Sequence, residues 1–287
     1  MLKGIKNSVL GCLIRYSYLE NIHKFDKEID RKILNSDNNF LKDGYHVEKN
    51  FLNNEELKNF EKFFINSQSI FDEKFLFLMN FVNSKFKKKI SEFLGDDFIL
   101  IGLTIIKTTK DTNTLSDAWH TDSVGHKINF HICIEGDGSI PTLYLPGTHK
   151  KKYFPSFMQE LRSVYKFSQN QNKKKKISFN HTKGDCTIFN ANGKHMGYYK
   201  KAKADRKLIF MEFMQRDKCN DLRHSDNKKN PFNLNLKMPY RDQSKLFDFQ
   251  IISEEIIKKL KKFHFFSDLL IRKHKENNYF QNSFLDI

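Results

Sequence analysis

Residues 118–127 read AWHTDSVGHK and place an imidazole and a carboxylate, His120 and Asp122, two positions apart. On an extended strand, positions i and i+2 point to the same side, so both side chains can reach one metal ion. The chain supplies its own control: His224 and Asp226 have the same spacing but lie in a charged, Asn-rich stretch where no strand would fix ligand geometry. His120 and Asp122 instead precede the alternating run KINFHICIE at 127–135. A third ligand has to come from a later segment, and His195 in GKHMGYY, ten residues after Asp185, is the candidate. Two histidines and one carboxylate make a facial triad with open coordination positions, which suits a non-haem Fe(II) that binds a co-substrate and O2 together.

A co-substrate with a remote carboxylate needs a cationic clamp. Arg206 lies eleven residues after His195 at the head of the run RKLIFMEFM, and its planar fork can hold a carboxylate with two parallel hydrogen bonds. Lys127, Asn129 and His131 share one face of the 127–135 run. If that face is interior, Asn129 or His131 touches co-substrate or substrate; otherwise they are polar residues on the outside. Trp119 packs either beside the iron site or in the core, and Thr121 faces away from the metal by alternation. His126 either lines the pocket or, as loop histidines commonly are, is simply solvated, and the second is the expected reading. His149 reads as a residue that orders the turn PGTHK, and Asp185 as one that fixes the turn at Gly184.

These side chains need a scaffold, and the pattern of the chain changes near residue 97. Before it, FLNNEELKNFEKFFINS (51–67) and 71–95 read as helices, the first opened by an Asn cap with acidic residues in its first turn, the second ended by Gly95. After it, 98–109, 127–135, 142–147, 176–182, 185–191 and 206–214 are short apolar or alternating runs broken by turn residues, which predicts an all-β sandwich or barrel. The expected organisation is a single domain over 1–287: a helical N-terminal region to 96, a β core over 97–216 interrupted by a Lys-rich 150–175 insertion, and a basic helical extension over 217–287. In that extension SEEIIKKLKKF (253–263) reads as a helix capped by Ser253.

Together WHTD at 119–122, PGTHK at 146–150, GDCTIFNANGKH at 184–195 and Arg206 resemble the phytanoyl-CoA dioxygenase-like family of Fe(II)/2-oxoglutarate-dependent oxygenases. The likeness covers roughly 45–216 and does not extend to the first 40 or last 70 residues. The resemblance implies a double-stranded β-helix, the cupin-like jelly roll, so the fold class is mainly β with flanking helices (α+β). It further implies iron on His120, Asp122 and His195, the distal carboxylate of 2-oxoglutarate on Arg206, and O2 as oxidant. Apart from the resemblance, Asn129, if its face is interior, and Lys107, on the early 98–109 strand, are candidate further co-substrate contacts. Related iron halogenases carry a small residue in place of the aspartate, so Asp122 favours hydroxylation of a C–H bond in a small or carrier-linked substrate.

Composition bounds the alternatives. The chain has 287 residues, 29 Phe among them, and a formal net charge of +16, so it can bury a core. Lysines occur on every segment, a composition bias and not a directed footprint, and nucleic acid is not expected as a partner. The rival function is a non-catalytic basic jelly-roll module that binds an anionic partner, nucleic acid or a membrane surface. Cys12, Cys133, Cys186 and Cys219 form no CxxC pair, which argues against a zinc or disulfide framework and fits the cytoplasm. The N-terminal run MLKGIKNSVLGCLIRYSYL lacks a cleavage site and reads as an ordinary helix, with membrane-surface contact the alternative, and no apolar run is long enough to span a membrane.

Overall fold

A computed structural model describes residues 24–61, 68–108, 119, 121, 125–150, 176–198, 202–219, 255, 258–259 and 261–265, with side chains described for all but 68–75 and 102–107. In chain order the elements are α1 (24–34), α2 (Asn39–Asp43), β1 (Tyr45–Glu48), α3 (Asn54–Glu61), α4 (Gln68–Lys85), α5 (Lys87–Leu94) and β2 (Phe98–Thr108). They continue as β3 (Ile128–Glu135), β4 (Thr142–Tyr144), a 3-10 turn (Thr148–Lys150), β5 (Ile177–Phe179), β6 (Cys186–Asn190), β7 (His195–Gly197) and β8 (Arg206–Gln215).

Two sheets form, one ordered β1-β6-β3-β8-β2 and the other β5-β4-β7, and every pairing in both is antiparallel. From β3 onward the chain winds between them: β4 and β5 cross to the small sheet, β6 returns, β7 crosses again and β8 returns. That winding is a jelly roll. The alternation read in 127–135 now has a cause on both sides. Ile128, Phe130, Ile132 and Ile134 join Ile188, Ile209, Met211 and Phe213 in a core shared with the helices. The intervening positions face the small sheet, where Tyr144, Phe179 and Phe189 make a second, smaller cluster. β3 is buried along all of Ile128–Ile134 because it is covered on both faces.

The helices form where the sequence places their caps. Asn53 accepts from Glu56 N at 2.8 Å while Glu56 Oε2 accepts from Asn53 N at 3.0 Å, a reciprocal cap that starts α3. Gly44, at φ 82°, ends α2 and turns the chain into β1. Two differences from the sequence reading stand out. The helix expected over 71–95 is two helices, because Phe86 leaves helical geometry at φ −124° and packs its ring edge-on against Phe130 at 4.3 Å. The N-terminal region is also not wholly helical: Tyr45–Glu48 is an edge strand paired to β6, held by that pairing and not by local propensity. Of the C-terminal extension, only 217–219 and parts of 255–265 are described, and Phe263 and Phe265 bury against the main core. Among the described residues no helix is long and apolar enough to cross a membrane.

Candidate metal centre

The space between the sheets is lined by an unusual share of polar side chains. From β3 come Asn129, His131 and Cys133, from β6 Thr187, from β7 His195 and from β8 Arg206 and Glu212, each at most 7% exposed. Burying polar groups in a sandwich core costs stability unless each finds a partner, so this concentration marks a site.

His195 sits at the start of β7, paired in register with Tyr144. Its Nδ1 lies 2.9 Å from Gly193 O, which fixes the proton on Nδ1 and puts the ring's lone pair on Nε2. Metal-binding histidines are held in this way, by a carbonyl on the other ring nitrogen. The ring packs on Phe189 at 5.2 Å. Gly193 is required there: a Cβ would fall 2.1 Å from the Tyr144 hydroxyl oxygen, while that hydroxyl donates to Asn190 O at 3.2 Å.

Arg206, the first residue of β8, is 5% exposed and donates from Nη1 to Ile140 O at 2.7 Å. The same Nη1 reaches His181 Nδ1 at 3.5 Å, and His181 Nε2 lies 3.4 Å from His131 Nδ1. Burial, with Arg206 and His195 adding repulsion, holds His131 well below the usual imidazole range. Burial, then His131 and Arg206, does the same to His181. Both rings are therefore neutral beside the guanidinium. His131 also contacts Phe189 at 5.1 Å and Phe210 at 5.0 Å. His181 is absent from the residues singled out in the sequence, although Ile177, Phe179 and His181 alternate along one face of the KISFNHT run and that period points it inward.

Asn129 faces inward, 3% exposed, and its Oδ1 has no hydrogen-bond partner among the described residues. Lys127 and Glu212 form a buried ion pair at 2.5 Å on the same inner face. On β2, Thr108 pairs with Arg206 and Lys107 with Lys207, and the side chain of Lys107 lies outside the described residues. His120 and Asp122 also lie outside them, as does the second HxD at 224–226. Among the described residues alone, no group of three His, Cys, Asp or Glu could hold a metal. Trp119 and Thr121, which flank His120, are both half-buried.

A few residues beyond Asp122 the chain is firmly anchored. His126 is fully buried, not solvated as the sequence suggests, because polar partners surround it. Its Nδ1 accepts from Asn190 Nδ2 at 2.8 Å and its Nε2–H donates to Asp30 at 2.9 Å. Lys127 O accepts from Ala191 N at 2.8 Å. Residues 126 and 127 are thus bonded to the segment that leads, four residues on from Ala191, to His195.

The two turn residues behave as expected. His149 donates from Nε2 to Leu41 O at 2.8 Å, and burial pulls its pKa down to about 4. Asp185 accepts from Lys49 at 2.5 Å, from the Thr182 N–H and hydroxyl at 2.8 Å each, and from Asn50 N at 3.1 Å. Burial also pushes the Cys133 thiol, near Arg206, up to about 12, so it stays protonated.

No protein-family model matches the chain, and no curated protein matches it in sequence. Among solved structures it is similar to the non-heme alpha ketoglutarate dependent epimerase SnoN from nogalamycin biosynthesis, with TM-score 0.48 and 13% identity over 66% of this chain and 84% of that one. It is similar to HygX from Streptomyces hygroscopicus, solved with nickel and 2-oxoglutarate bound, with TM-score 0.46 and 14% identity over 62% and 84%. The carbocyclase SnoK, also non-heme and alpha ketoglutarate dependent, gives TM-score 0.46 and 11% identity over 64% and 86%. At such scores and identities these likenesses assign neither family nor reaction.

Proposed function

We propose that the protein is an Fe(II)/2-oxoglutarate-dependent oxygenase that oxidises a C–H bond of a small or carrier-linked substrate, hydroxylation being the favoured outcome. His120, Asp122 and His195 would hold the iron, and Arg206 the far carboxylate of 2-oxoglutarate, with Asn129 and Lys107 as further contacts. One observation carries the reading: an imidazole with its lone pair on Nε2 and a buried guanidinium line the same space between two sheets, with neutral polar side chains between them. The residues present fit the group. An imidazole lone pair suits a divalent metal, a buried arginine suits a carboxylate, and Asn129 Oδ1 is a buried acceptor with no partner among the described residues.

When bound, iron and 2-oxoglutarate supply the oxidation by O2 of a substrate C–H bond, with 2-oxoglutarate converted to succinate and CO2. The chain's own part is placement. The Gly193 carbonyl keeps the His195 proton on Nδ1. The Ile140 carbonyl, at 2.7 Å, fixes one arm of Arg206, so the fork does not have to be ordered when a carboxylate arrives. Tyr144, Phe179 and Phe189 keep the wall dry, which strengthens every charged contact inside. The bonds from Asn190 and Ala191 to residues 126 and 127 bring the chain just after Asp122 to the chain just before His195.

Purified protein given Fe(II), 2-oxoglutarate and O2 should form succinate with matching oxygen uptake, and His195→Ala and Asp122→Ala should each abolish it. Wild-type protein that neither forms succinate nor binds 2-oxoglutarate in the presence of a divalent metal would overturn the reading.

A further inference from the structure

In the sequence His131 is only one polar position among three. The structure gives its ring a fixed polarity. An arginine can only donate, so the contact from Arg206 Nη1 makes His181 Nδ1 an acceptor. A neutral imidazole carries one proton, so His181 then holds it on Nε2, the atom that faces His131 Nδ1 at 3.4 Å. His131 Nδ1 is therefore an acceptor in its turn, and the proton of this second ring sits on Nε2. That N–H has no hydrogen-bond partner among the described residues, in a ring only 6% exposed.

The position matters as much as the polarity. His131 feels the charges of both Arg206 and His195, and its ring shares Phe189 as a neighbour with His195. Through Phe189 it adjoins the proposed metal end, and through His181 the clamp end, of the same space. A ligand lying from one to the other would pass it, and His131 presents to that ligand a donor with no acceptor beside it among the described residues. The matching chemistry is an acceptor-only group, a carboxylate.

We propose that His131 donates its Nε2–H to a carboxylate oxygen of the dicarboxylate held by Arg206, and that His181 is a positioning residue, relaying the polarity of Arg206 so that this proton always faces the ligand. The inference rests on the oxygenase reading, because it presumes that a dicarboxylate occupies the space.

The test uses the full chain loaded with zinc, which is diamagnetic. Histidine-selective 15N NMR should show His131 as the Nε2–H tautomer, its signal assigned by its loss in His131→Gln. That signal should shift on adding 2-oxoglutarate and stay in place on adding 2-oxopentanoate, which lacks the distal carboxylate. In calorimetry, His131→Phe should weaken 2-oxoglutarate binding about tenfold with zinc stoichiometry unchanged, since a bond to a charged acceptor is lost. His131→Gln, which keeps an N–H at similar reach, should recover most of that affinity. An Nδ1–H tautomer at His131 in the wild-type protein would overturn the proposal, even if the Phe variant does not fold. So would His131→Phe binding within about twofold of wild type while Arg206→Ala loses binding, since a lost charged hydrogen bond should cost more than that. If Arg206→Ala binds like wild type, or the wild-type protein binds no 2-oxoglutarate, the oxygenase reading itself fails and the proposal with it.

Discussion

Lys218 and Asp26, 192 positions apart, form a fully buried ion pair at 2.8 and 3.0 Å, and both also bond the backbone of His126. The lysine comes after β8 and the aspartate lies on α1, so the pair ties both to the chain just beyond Asp122. Removing one partner leaves a buried charge, and Asp26→Ala should cost about 3–5 kcal/mol in denaturant unfolding. The double replacement Asp26→Leu with Lys218→Met should cost less than either single change, because the uncompensated charge is gone. Singles that simply add would show that the pair does not act as a unit.

That pair shows where sequence reading ends. The long strands were legible because burial on two faces forces apolar or alternating runs, as in Ile128–Ile134. The turn roles of His149 and Asp185 were legible because glycine and proline mark those turns. β7 was not, since three residues with a terminal glycine carry no period. Nor was the break at Phe86, which tertiary packing on Phe130 decides against local helix propensity. The inward face of Asn129 and His131 could be stated only as a condition until the helices were seen to cover the other side of β3.

Gly193 should prove indispensable for steric and not conformational reasons. A Cβ there would meet Tyr144 Oη at 2.1 Å and Cζ at 2.5 Å, and the Tyr144 ring is fully buried with nowhere to move. Gly193→Ala should therefore displace the carbonyl that orients His195 and lower metal affinity by roughly 10–100-fold, the range for losing such an outer partner. Metal titration by calorimetry checks this. Tyr144→Phe removes the hydroxyl but not Cζ, so adding it to Gly193→Ala should restore little.

Asp185 should matter for folding and not for the reaction. It gathers the backbone N–H groups of Asn50 and Thr182 and the Lys49 ammonium around one carboxylate, locking the turn into β6. Half of Lys49 is exposed, so most of the value lies in the two backbone bonds. Asp185→Ala should cost about 2–4 kcal/mol by leaving those donors unsatisfied. In protein still folded, succinate formed per bound iron should match wild type. A collapse of turnover at full iron loading would place Asp185 in the chemistry instead.

His149 should make stability fall on mild acidification. Its folded-state pKa, held down by burial and only partly restored by the Leu41 carbonyl, is about 4 against an ordinary 6.5. Between those values the unfolded chain takes up a proton that the folded chain refuses, so the unfolded state binds more protons and stability rises with pH. The contribution is complete above about pH 6.5 and shrinks as pH falls towards 4, by roughly 3 kcal/mol over the whole window. His131 and His181, also depressed by burial, act with the same sign. His149→Gln can keep an N–H for Leu41 O while removing the titration. Denaturant unfolding near pH 7 and again near pH 5 should show the variant less stable at the higher pH, with the gap closing by about 2 kcal/mol at the lower one. Parallel pH profiles for the two proteins would mean that His149 is charged in the fold and that the Leu41 carbonyl, not burial, governs it.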